Sequence, residues 1–235
     1  MMNPDEAIIL AGGLGTRLRP VLPDLPKAMA PIGDKPFLEY LLLYLSGSGI
    51  RQVVISVGYK YEAIQSWFGN SFLNTKLIYA IEDEPLGTGG AIRYAMHYIQ
   101  GESVLLLNGD TFFNVNLVKF TKFFHDHDSD IAMTVKLLSD VTRYGTVIMD
   151  RHRVRGFIAR QAAEKGYING GIYLLKSTLF DRYTLPGKFS FEKDFLEKHI
   201  NDLNIAAMKS PDYFIDIGVP GDYEKARTEL PGLLL

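Results

Sequence analysis

Ala7-Ile8-Ile9-Leu10-Ala11-Gly12-Gly13-Leu14-Gly15-Thr16-Arg17-Leu18-Arg19-Pro20 is an apolar run that breaks into glycines, and Pro26-Lys27 follows it in a proline-fixed turn. Such a run reads as a buried parallel strand feeding a loop whose bare backbone amides can approach phosphate oxygens. Arg17 and Lys27 then supply positive charge. A glycine turn alone would serve equally well as a tight strand-to-helix connection. Two other phosphate loops fail on spacing. A dinucleotide-binding turn needs a third glycine where this chain has Leu18, and an acid closing the second strand, whereas Gln52 to Val57 ends without one. The string G-x-x-x-x-G-K-[ST] does not occur.

The chain has 235 residues, 47% of them apolar, which suits one large α/β domain with a sizeable core. A formal net charge of -2 gives no global reason to bind nucleic acid or an anionic membrane, so any phosphate site must be local. The absence of cysteine excludes disulfides, thiolate metal sites and cysteine nucleophiles. Asp5 and Glu6 precede a short strand, with no basic segment and long apolar core of a signal peptide. No run reaches the ~18 apolar residues of a membrane span, and a cytoplasmic location is expected.

Strand-like runs recur at Ala7 to Leu10, Val53 to Val57, Leu77 to Ile81 and Val104 to Leu107. Between several of them lie helical patterns, at Phe37 to Leu45, Glu62 to Phe68 and Ala91 to Ile99. This alternation predicts a Rossmann-like, doubly wound α/β sheet with helices on both faces, and ligands beyond the carboxyl ends of its strands. The second half is richer in antiparallel signals, at Ile131 to Leu137, Tyr144 to Met149, Val154 to Ile158 and Ile168 to Leu174, with a helix expected over Phe191 to Ile200. No linker divides the halves, so the sheet is expected to be mixed and the chain a single domain over 1–235. Leu230 to Leu235 reads as a frayed tail rather than a small dimer contact.

Strand Val104 to Leu107 runs into Asn108-Gly109-Asp110-Thr111. A carboxylate just past a buried strand is well placed for Mg²⁺, although Asn-Gly-Asp is also ordinary turn chemistry. Downstream, Tyr213-Phe214-Ile215-Asp216-Ile217-Gly218-Val219-Pro220 again puts an acid at the end of an apolar run, where it could equally cap a helix starting near Pro220. Between the glycine loop and Asp110 lies Glu84-Pro85-Leu86-Gly87-Thr88-Gly89-Gly90-Ala91-Ile92.

These motifs, in this order from Ala7 to Asp222, resemble the sugar-1-phosphate nucleotidyltransferases. The resemblance implies that Arg17 and Lys27 hold a nucleoside triphosphate and that Asp110 and Asp216 bind one Mg²⁺. It implies further nucleotide contacts at Leu10, Ala11, Gly12, Gly13, Gly15, Thr16, Glu82, Gly87, Thr88, Gly89 and Asn108. Sugar contacts are implied at Tyr144, Gly145, Asn169, Gly170 and Glu192, though Asn169 could serve a turn and Glu192 could cap its own helix. Residues 1–130 would then form the nucleotide-binding half and 131–235 the sugar-binding half. Where the family commonly has F-x-E-K, this chain has Phe157-Ile158-Ala159-Arg160, so Arg160 is expected on the sugar phosphate, with Glu164 and Lys165 nearby.

The implied reaction joins a sugar 1-phosphate to a nucleoside monophosphate and releases pyrophosphate. Its nucleophile is already anionic, so alignment and charge neutralisation suffice without a general base. His97, His125, His127, His152 and His199 are scattered and given no catalytic role. The strings Leu86 to Ile92, Leu107 to Phe113, Arg143 to Val147 and Asp212 to Pro220 most resemble the guanylyltransferases that act on a heptose 1-phosphate for surface polysaccharide. GTP and a sugar 1-phosphate are therefore the expected partners. Mannose 1-phosphate guanylyltransferases and short uridylyltransferases or thymidylyltransferases are the near alternatives, and a noncatalytic sensor on the same fold is another. A homo-oligomer is compatible with all of them.

Overall fold

In the computed structural model the described residues are 4–13, 18, 22, 25–159 and 165–233. Strand β1 (Glu6–Leu10) leads to a short hairpin of β2 (Pro31–Ile32) and β3 (Lys35–Pro36), then α1 (Phe37–Gly47), β4 (Gln52–Val57) and α2 (Tyr61–Phe68). Next come β5 (Ser71–Phe72), β6 (Thr75–Ile81), α3 (Gly87–Ala95), β7 (Ser103–Asn108), β8 (Thr111–Phe113) and α4 (Leu117–Asp126). The second half holds β9 (Ile131–Leu138), β10 (Thr146–Asp150), β11 (Arg153–Ile158), β12 (Gly166–Lys176), β13 (Ile205–Lys209), β14 (Phe214–Asp216) and α5 (Pro220–Glu229).

Among the described residues ten strands form one mixed sheet in the order β10-β11-β13-β9-β12-β7-β1-β4-β6-β5. Its parallel block runs β7-β1-β4-β6, and β12 joins it antiparallel to β7, with Tyr173 opposite Leu106. The chain winds outward from β1 to β4 and β6, then returns to the other flank of β1 as β7. The strand order therefore reverses at β1, and the loops after β1 and β7 leave the same carboxyl edge side by side.

Strand alternation sends Ala7 and Ile9 to one face and Ile8 to the other. On the first face the buried stripes of α1 (Leu38, Leu41, Leu45), α2 (Ile64, Phe68) and α4 (Phe120, Phe124) cover the sheet. On the second, Ile92 and Ala95 of α3 pack with Phe191, Phe195 and Leu196. Each such buried Leu, Ile or Phe side chain is worth about 1.5–3 kcal/mol, and the two layers clamp the strand ends that carry the site. No helix among the described residues is long and apolar enough to cross a membrane.

Four local expectations change. Helix α3 begins at Gly87, not Ala91, and ends at Ala95 with a 3-10 turn over Met96–Tyr98. Its glycines read as loop residues, yet they let the first turn pack against Phe189. The segment expected as a helix over Phe191 to Ile200 is one wide turn, Phe191–Leu196, whose Glu197 amide reaches the Glu192 carbonyl at 2.9 Å. Tyr144 and Gly145 precede β10 rather than opening it. The tail is not frayed over Leu230–Gly232, which forms a 3-10 turn with Leu230 fully buried in the first core layer.

Candidate active site

Asp110 follows β7, and Asp216 ends β14, a three-residue strand paired antiparallel with β8 so that Asp216 stands opposite Thr111. The Ile217 amide donates to the Asp110 carbonyl at 3.0 Å, which locks the two acidic segments together. Lys27, on a 3-10 turn entered from Pro26, inserts its ammonium between them. Its Nζ lies 2.6 Å from Asp110 Oδ2 and 3.7 Å from Asp216 Oδ1. The remaining bonds orient the carboxylates: Thr111 Oγ1 donates to Asp110 Oδ1 at 3.1 Å, and the Gly218 amide to Asp216 Oδ1 at 2.7 Å. The N-cap of α5 is Val219, with no side-chain cap, so Asp216 does not cap that helix.

Two carboxylates aimed at one cation fit Mg²⁺, which takes one or two protein carboxylates and completes its shell with phosphate oxygens and water. No cluster of three or more His, Cys, Asp or Glu among the described residues offers an all-protein cage. The donor set therefore suits a divalent ion delivered with, or completed by, a phosphate substrate.

Beside this pair opens a cavity of about 710 Å³, within the range of small-molecule sites. Leu10 to Gly13, Glu82, Gly87, Thr88, Asn108, Asp110, Lys27 and Glu192 all contribute to its wall, so the structure gathers most of the expected nucleotide positions in one place. Gly109 makes this possible: its amide donates to the Leu10 carbonyl at 2.9 Å, and a Cβ there would lie 2.4 Å from that oxygen. Glu82 is fixed at both oxygens, by Ser56 Oγ at 2.9 Å and the Leu86 amide at 3.0 Å. Ser56 had no assigned role in the sequence, although a hydroxyl inside the apolar run of β4 was a signal that something polar had to meet it.

Glu192 enters the cavity wall from the other side. It is not the capping acid of its turn: Asp194 Oδ2 accepts from the Ser190 amide at 2.8 Å, and Ser190 Oγ accepts from the Lys193 amide at 3.2 Å. Asn169 sits inside β12 rather than in a turn, where the pairing with β9 shifts register, accepting from the Gly171 amide at 3.0 Å while its Nδ2 donates to the Tyr173 hydroxyl. Tyr173 is fully buried, and burial first, then the nearby Glu192 charge, pushes its phenol well above the usual range. It therefore stays protonated and can donate to Glu192 Oε1, 3.4 Å away. Tyr173 had no assigned role beyond its place in the strand-like run Ile168 to Leu174.

Gly89, Tyr144, Gly145, Asn169, Gly170 and Asp216 stand outside the cavity wall. Tyr144 nevertheless borders the acidic pair. Burial, and next the Asp216 charge, raise its phenol pKa, while Arg143 bonds its hydroxyl at 2.9 Å and pairs with Asp222. Gly15, Thr16, Arg17 and Arg160 lie outside the described residues, as does Glu164. No histidine lines the cavity among the described residues.

A family model described as Nucleotidyl transferase matches residues 6–231. D-glycero-alpha-D-manno-heptose 1-phosphate guanylyltransferase from Aneurinibacillus thermoaerophilus is 47% identical over 96% of this chain and 98% of its own. The enzyme of that name from Campylobacter jejuni is 48% identical over 93% and 96%. The crystal structure of HddC from Yersinia pseudotuberculosis superposes with a TM-score of 0.86 at 39% identity, covering 96% of this chain and 99% of that one. Its complex with GMP-PN gives a TM-score of 0.84 with the same identity and coverage.

Proposed function

The chain belongs to the nucleotidyl transferase family, and on that premise we propose that it transfers GMP from GTP to D-glycero-α-D-manno-heptose 1-phosphate, forming GDP-heptose and pyrophosphate. The observation that carries the reaction class to this chain's own residues is the Asp110–Lys27–Asp216 cluster, of which Asp110 and Lys27 line the cavity. Near full-length likeness to two guanylyltransferases of heptose 1-phosphate supports the choice of base and sugar.

In this reading an oxygen of the sugar phosphate attacks the α-phosphorus of GTP, and the bond to the pyrophosphate oxygen breaks. The attacking oxygen is anionic at neutral pH, so the protein's task is to align the two phosphates and offset their repulsion. Lys27 is within reach of both acidic segments and supplies one fixed positive charge; Arg17 is proposed to supply another. Asp110 and Asp216 would hold Mg²⁺, which when bound neutralises charge on the triphosphate. The amides of Gly12 and Gly13 are assigned to the phosphates, the Ala11 amide being held by the Ser56 carbonyl at 2.8 Å, and Arg160 is assigned to the sugar phosphate. Glu82 suits guanine on chemical grounds. An ionised carboxylate only accepts, and the guanine edge presents two adjacent donors, N1–H and the 2-amino group. Uracil and thymine offer one such donor between two carbonyls. Glu192 and Asn169 are assigned to the sugar hydroxyls. A GTP-dependent reaction of this kind fits a cytoplasmic location.

A pyrophosphate-release assay with GTP, UTP, dTTP and ATP against heptose 1-phosphate and mannose 1-phosphate tests the reading. The highest kcat/KM is expected for GTP with heptose 1-phosphate, abolished by excess chelator and restored by Mg²⁺. Asp110→Asn should lose orders of magnitude in kcat without losing the fold. A preference for UTP or dTTP would overturn the base assignment, and full activity in chelator the metal assignment.

A further inference from the structure

The assignment of Glu192 to the acceptor, on which this inference rests, has a consequence for Thr88. The Thr88 hydroxyl donates to Glu192 Oε2 at 3.1 Å and accepts from the Phe191 amide at 2.8 Å. A threonine hydroxyl has a single proton. Thr88 spends it on the carboxylate, so it has no donor to offer a nucleotide phosphate or ribose, although it is among the expected nucleotide contacts. The backbone around it is joined to the same partner: the Gly89 amide donates to the Phe189 carbonyl at 2.9 Å, and the Phe189 amide to the Leu86 carbonyl at 3.0 Å. The contact leaves no room for side chains. Gly87 has a φ of +71°, and a Cβ there would lie 2.6 Å from the Phe189 carbonyl oxygen. On its far side Glu192 faces the buried Tyr173 hydroxyl, which also holds Asn169.

We infer that Thr88 is a positioning residue of the acceptor site, through which the loop on the nucleotide side orients the Glu192 carboxylate toward the sugar 1-phosphate. Thr88 then belongs functionally with Glu192 and Asn169, and the donor-side loop helps set which acceptor is read.

Thr88→Val keeps the shape and removes the hydroxyl, and Thr88→Ser restores it. Wild-type turnover of GTP with D-glycero-α-D-manno-heptose 1-phosphate is measured first, which tests the proposed reaction by itself. If another sugar 1-phosphate proves to be the acceptor, the same comparison is made with it. Thr88→Val should raise KM for the sugar 1-phosphate about tenfold, the scale of a lost hydrogen bond to a charged group. The Kd for GTP from calorimetry should stay within about twofold and Tm should hold, since only the hydroxyl of an exposed residue is changed. Thr88→Ser should recover most of the KM. In a Glu192→Gln background the valine should add less than about twofold, because the two groups act as one unit. A GTP affinity that falls in step with the acceptor KM would make Thr88 a nucleotide contact and overturn the inference. Unchanged KM values for both substrates, or a full independent loss in the Glu192→Gln background, would overturn it equally.

Discussion

Lys27 sits where two carboxylates converge, with its side chain only 11% exposed. Among the described residues its ammonium lies within 4 Å of both Asp110 and Asp216 and offsets their mutual repulsion. The same geometry obliges it to share the carboxylates, or to turn toward phosphate, once a divalent ion and triphosphate arrive. Lys27→Met tests this apart from turnover. Removing the ammonium takes away a charge that both partly buried acids share, and breaking such a pair costs on the order of 3 kcal/mol when it is well buried and less where solvent screens it. The variant should melt below wild type in chelator, and millimolar Mg²⁺ should raise its Tm more than that of wild type. Equal Mg²⁺ responses in the two proteins would mean that the carboxylates do not share a cation site. Residue-scale details of this kind were only partly readable in the chain. Asp110 and Asp216 stood out because each ends an apolar run. Their common partner was not readable, because Lys27 meets them only in the fold. Tyr173 was hidden among the apolar residues of its strand, since a phenol bonding inside a core leaves the hydrophobic pattern unchanged.

At the scale of elements, β1, β4, β6 and β7 could be read as strands because parallel strands covered on both faces are continuous apolar runs. The β8–β14 ladder could not, because strands of three residues carry no period and their pairing joins distant parts of the chain. Yet that ladder is what brings the second acid to the first. The start of α3 was missed for a related reason: glycine propensity favours a loop, and packing against Phe189 overrides it. Another long-range junction ties the beginnings of β9 and β13 to the end of β12. There Asp130 accepts from the Asn204 amide at 2.9 Å and Lys176 Nζ at 3.1 Å, with Arg182 at 3.4 Å. Burial works against ionisation of Asp130, but the Asn204 amide and the Lys176 and Arg182 charges together hold its carboxyl below the ordinary range. A depressed folded-state pKa gives stability that is present above the unfolded value and is lost as pH falls through the folded one. Asp130→Asn should therefore be less stable than wild type at neutral pH, by about 1 kcal/mol for a charged hydrogen bond discounted for solvent. Denaturant midpoints of the two proteins should converge as the pH drops below the usual carboxylate range. A gap that widens toward acid would assign the effect to packing instead.

For the whole molecule, the question is whether the proposed nucleotide and sugar halves are separate folding units. The sheet argues against it. Strand β12 of the second half pairs directly with β7 of the first through Ile172 to Lys176, and Tyr173 and Leu106 at that joint are both fully buried. Pulling the halves apart would expose the core on both faces of the central strands and leave a row of unpaired backbone groups. The chain should therefore unfold as one unit. The sequence suits the experiment, since it has one tryptophan and no cysteine. Trp67 lies on α2 in the first half, hydrogen-bonded to Glu39 at 3.4 Å. Ile148, 45% exposed on the outermost strand β10, offers a position in the second half for Ile148→Cys and a fluorescent label. In urea the Trp67 emission and the label at position 148 should report the same midpoint and the same m-value. GTP at about a hundred times its Kd should then move both transitions together, by about 2.7 kcal/mol. Two separate midpoints, or a GTP shift seen only by Trp67, would show that the first half folds and binds nucleotide without the second. The acceptor site would then be an attached unit, where the continuous sheet and the Thr88–Glu192 link require a single one.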